Sequence, residues 1–62
     1  MNKPECKLIG ANGNIFSLLA IASRTLTRAG LRDEDQEMRD KVLASKSYDE
    51  ALCIIGDYVE IV

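Results

Sequence analysis

The chain has 62 residues, 47% of them hydrophobic and 29% charged, with a formal net charge of −2 and no histidine. That composition excludes a disordered chain and a strongly basic one, and the length excludes more than one domain. A chain this short buries only about 60% of the surface that its unfolded form exposes, so its fold needs nearly every apolar residue, or a staple such as a disulfide, a metal or a partner chain.

Residues 1–13 read as an extended lead-in. Pro4, Gly10 and Gly13 discourage helix, and "CKLI" at 6–9 suits a short strand. The opening "MNKPECK" is polar and lacks the apolar stretch of about 7–15 residues that a secretory leader carries. The longest aliphatic run, Leu18 to Ala22, falls far short of the roughly 20 residues that span a bilayer. The expectation is a soluble, cytoplasmic protein with no membrane contact.

The stretch "LIGANGNIF" at 8–16 carries two glycines three apart just before a helix start. A phosphate-binding P-loop needs lysine and then serine or threonine after the second glycine, where this chain has Asn14 and Ile15. A dinucleotide fingerprint needs a third glycine within a βαβ unit. Ile9, Gly10, Gly13 and Phe16 resemble the I-G-x-x-G loop of KH domains, which clamps a nucleic-acid backbone. The middle residues, Ala11 and Asn12, bring no positive charge, and only seven residues precede Leu8 where that fold requires a strand and a helix. The stretch therefore reads as a turn that launches a helix, with Asn12 or Asn14 as the cap and open amides that suit an anion.

A small all-α domain of three helices is predicted, at about 14–29, 33–44 and 47–59, with the lead-in free to pair with the C-terminal tail. In the first helix Ile15, Leu18, Leu19, Ala22, Leu26 and Ala29 share one face, Arg24 and Arg28 lie opposite, and Gly30 closes the end. In the second, Asp33 with Gln36 forms a cap. Asp33, Glu34 and Asp35 complement the helix dipole as solvated groups, and Met38 and Val42, extended by Leu31, make a thin apolar stripe. In the third, Ser47 and Glu50 form a capping box before Ala51, Leu52, Ile54, Ile55, Tyr58, Val59 and Val62, which cover about half the circumference. The tail "YVEIV" is β-branched and suited to a strand beside "CKLI".

Chemistry is sparse. Without histidine the chain lacks the side chain best suited to proton transfer near neutral pH, and no serine or cysteine sits in an activated setting. The expectation is no enzyme, no cofactor and no metal. Cys6 and Cys53 are read as two reduced thiols, with a single bridge from the lead-in to the last helix as the alternative.

Charge divides along the chain. Residues 1–32 carry five cations against one carboxylate, net +4, and residues 33–62 carry three against nine, net −6. The halves attract each other within one fold, or Arg24, Arg28 and Arg32 form a ridge that contacts an anion or nucleic acid. The third helix carries a surplus of apolar surface. Leu52, Ile55, Tyr58 and Val59 are a candidate face for another protein or a second copy, unless the first helix and the lead-in absorb the whole stripe.

"SYDEALCII" at 47–55 resembles the opening of a helix in tetratricopeptide repeats, which implies a helix within a helical hairpin. "GNIFSLLAIASRTLTRAG" together with "SYDEALCIIGDYVEIV" is similar to short bacterial proteins of unassigned function associated with conjugative elements and prophages. That resemblance implies an intracellular bacterial setting and carries over no activity and no site residues. The functional expectation is a non-catalytic helical interaction or self-associating module of a bacterial mobile element. The alternative is a small nucleic-acid-binding accessory that uses the basic ridge of the first helix.

Overall fold

A computed structural model describes residues 3–10 and 13–62. The elements in chain order are β1 (Glu5–Cys6), α1 (Ile15–Arg28), α2 (Arg32–Leu43), α3 (Tyr48–Tyr58) and β2 (Glu60–Ile61). The three helices expected from the apolar spacing are present, each within two residues of its expected ends, and the lead-in pairs with the tail. Glu5 lies opposite Glu60 and Cys6 opposite Ile61 in a parallel register. Parallel strands need a long crossover, and here the whole three-helix unit is that crossover. Backbone bonds extend the pairing beyond the two-residue strands, from Glu60 N to Pro4 O at 2.8 Å, Val62 N to Cys6 O at 3.0 Å and Leu8 N to Val62 O at 3.0 Å. The Lys3 ammonium donates to the Gly56 carbonyl at 2.8 Å, placing positive charge at the negative end of α3.

The helix ends follow local chemistry. Asn14 caps α1, its side-chain oxygen accepting from Phe16 N at 2.8 Å, while Asn12 lies outside the described residues. Gly30, at φ 77°, turns the chain out of α1. Gly30 N bonds Thr27 O at 3.1 Å and Leu31 N bonds Leu26 O at 2.9 Å, the two bonds of a Schellman motif. This motif corrects two expectations. Ala29 is an exposed C-cap rather than part of the buried face. Leu31, fixed as the residue after the glycine, starts α2 at Arg32 with no side-chain cap bond, so Asp33 already lies inside the helix. Ser47 caps α3 as the capping box implies, accepting from Glu50 N at 3.1 Å.

The core joins Leu18, Leu19, Ala22 and Leu26 of α1 to Met38 and Val42 of α2, Ala51 and Ile55 of α3, and Val59, with Cys6 and Leu8 from the lead-in. Asp35, expected as a solvated cap, is buried with them. Its position three and seven residues before Met38 and Val42 puts it on the same helical face. Cys6 is buried and Cys53 exposed, both as free thiols; the bridge left open by the sequence does not form. Thr25 Oγ1, which donates to Ile21 O at 3.0 Å, lies 3.5 Å from Cys6 Sγ.

Candidate functional site

The candidate face on α3 is largely spent inside the chain. Ile55 and Val59 have 0% exposure, because α1 and α2 both pack on α3 and the chain leaves the helix in an extended conformation at Val59 to enter β2. This corrects their assignment to a partner surface. Leu52 and Tyr58 remain half-buried. Tyr58 is engaged with α2: its hydroxyl donates to Glu37 Oε1 at 2.5 Å, and Lys41 Nζ lies 3.3 Å from the same oxygen and 5.5 Å from the ring centre. The Tyr58 hydroxyl, and after it Lys41, holds the Glu37 carboxyl below the usual carboxylate range. Burial, and after it the bond to Glu37, raises the Tyr58 phenol. The Lys41 ammonium is also raised, chiefly by Tyr58 and then by Glu37. These three side chains form a clip at the surface between α2 and α3.

Exposed apolar surface gathers elsewhere. Phe16 is 66% exposed, Leu43 68% and Tyr48 46%, and the three line one groove of about 330 Å³ where the start of α1, the end of α2 and the start of α3 meet. Ile15, Val42 and Ala51 also line it, and Lys46 contributes a charge. Tyr48 is fixed at this junction because its hydroxyl donates to Gly13 O at 2.7 Å. Phe16 also lines a second groove, of about 390 Å³, with Leu19, Ala20, Ser23, Arg24 and Arg39. Phe16 is the residue common to both linings, and the two grooves together are called the trough. A smaller groove of about 200 Å³ lies on the other side of Tyr48, lined by Leu8, Ile9, Leu18, Leu52 and Ile61 among others.

The three arginines of the expected ridge, Arg24, Arg28 and Arg32, are all exposed; Arg24 and Arg28 lie one turn apart on α1, and Arg32 opens α2 across the Gly30 turn. Arg24 also lines the second groove with Arg39, a residue of the acidic half of the chain. Arg39 is held in place from within its own helix. Its Nη2 lies 3.4 Å from Asp35 Oδ2 and donates to Gln36 Oε1 at 3.3 Å. The Asp35 side chain is 8% exposed, and its Oδ1 has no hydrogen-bond partner. Among the described residues no carboxylate pairs with Arg24 or Lys46.

The glycine stretch acts as a turn: Gly10 has φ 90°, and the Asn14 side chain takes up the Phe16 amide in the first turn of α1. Ala11 and Asn12, the middle of the loop compared with KH domains, lie outside the described residues. Among the described residues no three histidine, cysteine, aspartate or glutamate side chains are placed to hold a metal ion. No helix among them is long and apolar enough to cross a membrane.

From sequence alone Leu43 and Arg39 have no role, Phe16 enters only in the glycine-loop comparison and Asp35 reads as a solvated cap. Phe16 and Leu43 sit beside the apolar stripes of their helices, and a large apolar residue off its stripe was the available signal. Comparison with protein-family models, curated proteins and solved structures gives no match, so the site rests on this chain's own geometry.

Proposed function

We propose that the chain is a non-catalytic protein-binding module whose docking surface is the trough centred on Phe16. The observation that carries this reading is that Phe16 and Leu43, both about two-thirds exposed, face a common groove. Single exposed apolar residues are ordinary on a protein surface, whereas large ones converging on a concavity are typical of interaction sites. The trough gathers no set of reacting groups. Its polar side chains are serines, Tyr48 and three cations, with no carboxylate, cysteine or histidine. A second copy is a poor occupant, because isologous pairing sets two troughs bearing the same three cations against each other. The likeness to short proteins of bacterial mobile elements directs the search for a partner to that setting.

A photoreactive amino acid placed at position 16, at 43 and, as a control, at Asp57 tests the reading in the native host. Discrete adducts from positions 16 and 43, absent from 57, are expected. Adducts from 57 alone contradict it.

A further inference from the structure

We infer that the partner docks on the trough as an acidic amphipathic helix. The inference rests on the protein-binding reading above and specifies the chemistry of the occupant. Its basis is charge. Carboxylates outnumber cations ten to eight in the chain, yet the two grooves that meet at Phe16 carry Arg24, Arg39 and Lys46 and no carboxylate. A random share of this chain's charges would favour acids there, so the trough is a local positive site on an acidic protein.

The two arginines differ in how they are set. The contacts that hold Arg39 use Nη2 alone, which leaves the Nη1 and Nε hydrogens for an incoming carboxylate. Arg24 has no carboxylate partner among the described residues. A guanidinium oriented in advance by a buried carboxylate loses less conformational freedom on binding an anion. Asp35 is in this sense a positioning residue for Arg39, and its retention in the core without a partner for Oδ1 has a use.

Backbone chemistry selects a helix over an extended segment. The trough is framed by helices, whose interior N–H and C=O groups are already paired, so an extended peptide finds no ladder there. A helix arrives with its own backbone satisfied and presents apolar residues at i, i+3, i+4 and i+7 to Phe16 and Leu43. The molecule measures 27 × 25 × 17 Å, and a helix of about 16 residues, roughly 24 Å long at 1.5 Å per residue, crosses it. Nucleic acid is the weaker occupant. A polyanion longer than the trough meets the exposed acids of a chain with net charge −2, whereas a helix sets its carboxylates only where cations lie.

The test is selection from a displayed library of 16-residue helices on the intact chain. The library fixes an apolar stripe and randomises the flanking positions among glutamate, lysine and glutamine. Glutamate is expected to be enriched several-fold over lysine beside the stripe. Binding of a selected peptide, measured by titration calorimetry, is expected to fall at least tenfold in the double variant Arg24→Glu, Lys46→Glu. Both residues are exposed, so the variant keeps its helical circular dichroism, and a glutamate-to-lysine peptide restores the affinity. Arg39→Gln is a secondary variant, read only if its circular dichroism is native, because it strands Asp35. Peptides selected without charge preference, but lost with Phe16→Ser, overturn the acidic partner and leave the protein-binding reading standing. Peptides indifferent to Phe16→Ser and Leu43→Ser, or no peptides at all, overturn both. Stronger binding of a thymidine oligonucleotide, abolished by the same charge reversal, overturns the inference in favour of nucleic acid.

Discussion

Replacing Ile55 by alanine removes three carbon atoms from a side chain with 0% exposure. At about 0.8 kcal/mol per buried methylene the lost transfer free energy is about 2.4 kcal/mol. The cavity left between α1, α2 and α3 raises the cost to about 3–4 kcal/mol, inside the roughly 2–5 kcal/mol seen for such truncations. A 62-residue chain at roughly 0.05–0.15 kcal/mol per residue has a total stability of about 3–9 kcal/mol. Ile55→Ala therefore removes from a third of the stability to all of it. Phe16→Ser, at a side chain 66% exposed, is expected to cost less than about 1 kcal/mol. Urea unfolding followed by helical circular dichroism measures both. With a slope near 1 kcal/mol per molar, the midpoint of Ile55→Ala falls by about 3–4 M or the variant is unfolded from the start, while that of Phe16→Ser moves by less than about 1 M. Equal midpoints for the two variants refute the division into an internal α3 stripe and an external Phe16 trough.

The α2–α3 clip predicts a pH window. Glu37 has its folded pKa lowered, so its contribution is present above its unfolded value of 4.5 and is lost as pH falls through the folded value. Tyr58 has its folded pKa raised, so its contribution is present below its unfolded value of 10.0 and is lost as pH rises through the folded value. Glu37→Gln is expected to bring the Tyr58 phenol back towards 10.0, as read by phenolate absorbance in a Tyr48→Phe background; an unmoved titration contradicts the clip. Ser47→Ala removes the α3 cap and is expected to cost about 1 kcal/mol in the same urea assay. Gly30→Ala, at φ 77°, is expected to cost about 1–2 kcal/mol; no loss at either position contradicts the cap or the turn. Cys53, exposed, is expected to react with a thiol reagent in the native chain, and Cys6, 1% exposed, only on unfolding. Two fast thiols contradict the packing of the lead-in.

Where a local rule acts alone, the sequence is a good guide. The capping box at Ser47 and Glu50, the closing turn at Gly30 and the spacing of Leu18, Leu19, Ala22 and Leu26 each produce the expected structure. The pairing of "CKLI" with the tail was legible because both are apolar, short and extended. Two local rules compete at Asp33, and the Schellman bonds from Gly30 and Leu31 win because they fix the chain before the aspartate is reached. The site was hidden for a different reason. Whether Ile55 faces a partner or the core depends on how closely α1 and α2 pack against α3, which no single helix encodes. The meeting of Arg24 with Arg39 depends on the antiparallel return of α2 along α1, which brings the basic half of the chain against the acidic half. Both ion pairs among the described residues, Asp35–Arg39 and Glu37–Lys41, lie within α2, and along the seam of the two halves it is a pair of arginines that faces solvent.

Cross-saturation NMR on the complex with the partner captured through position 16 tests the trough most directly. The partner protons are irradiated, and the amide and methyl signals of this chain that lose intensity mark the contact. The expected set is centred on Phe16, Leu43, Tyr48 and Ala20, with the methyls of Ile55 and Val59 unaffected. Loss centred instead on Leu52, Gly56 and Tyr58 of α3, with Phe16 and Leu43 unchanged, contradicts the account.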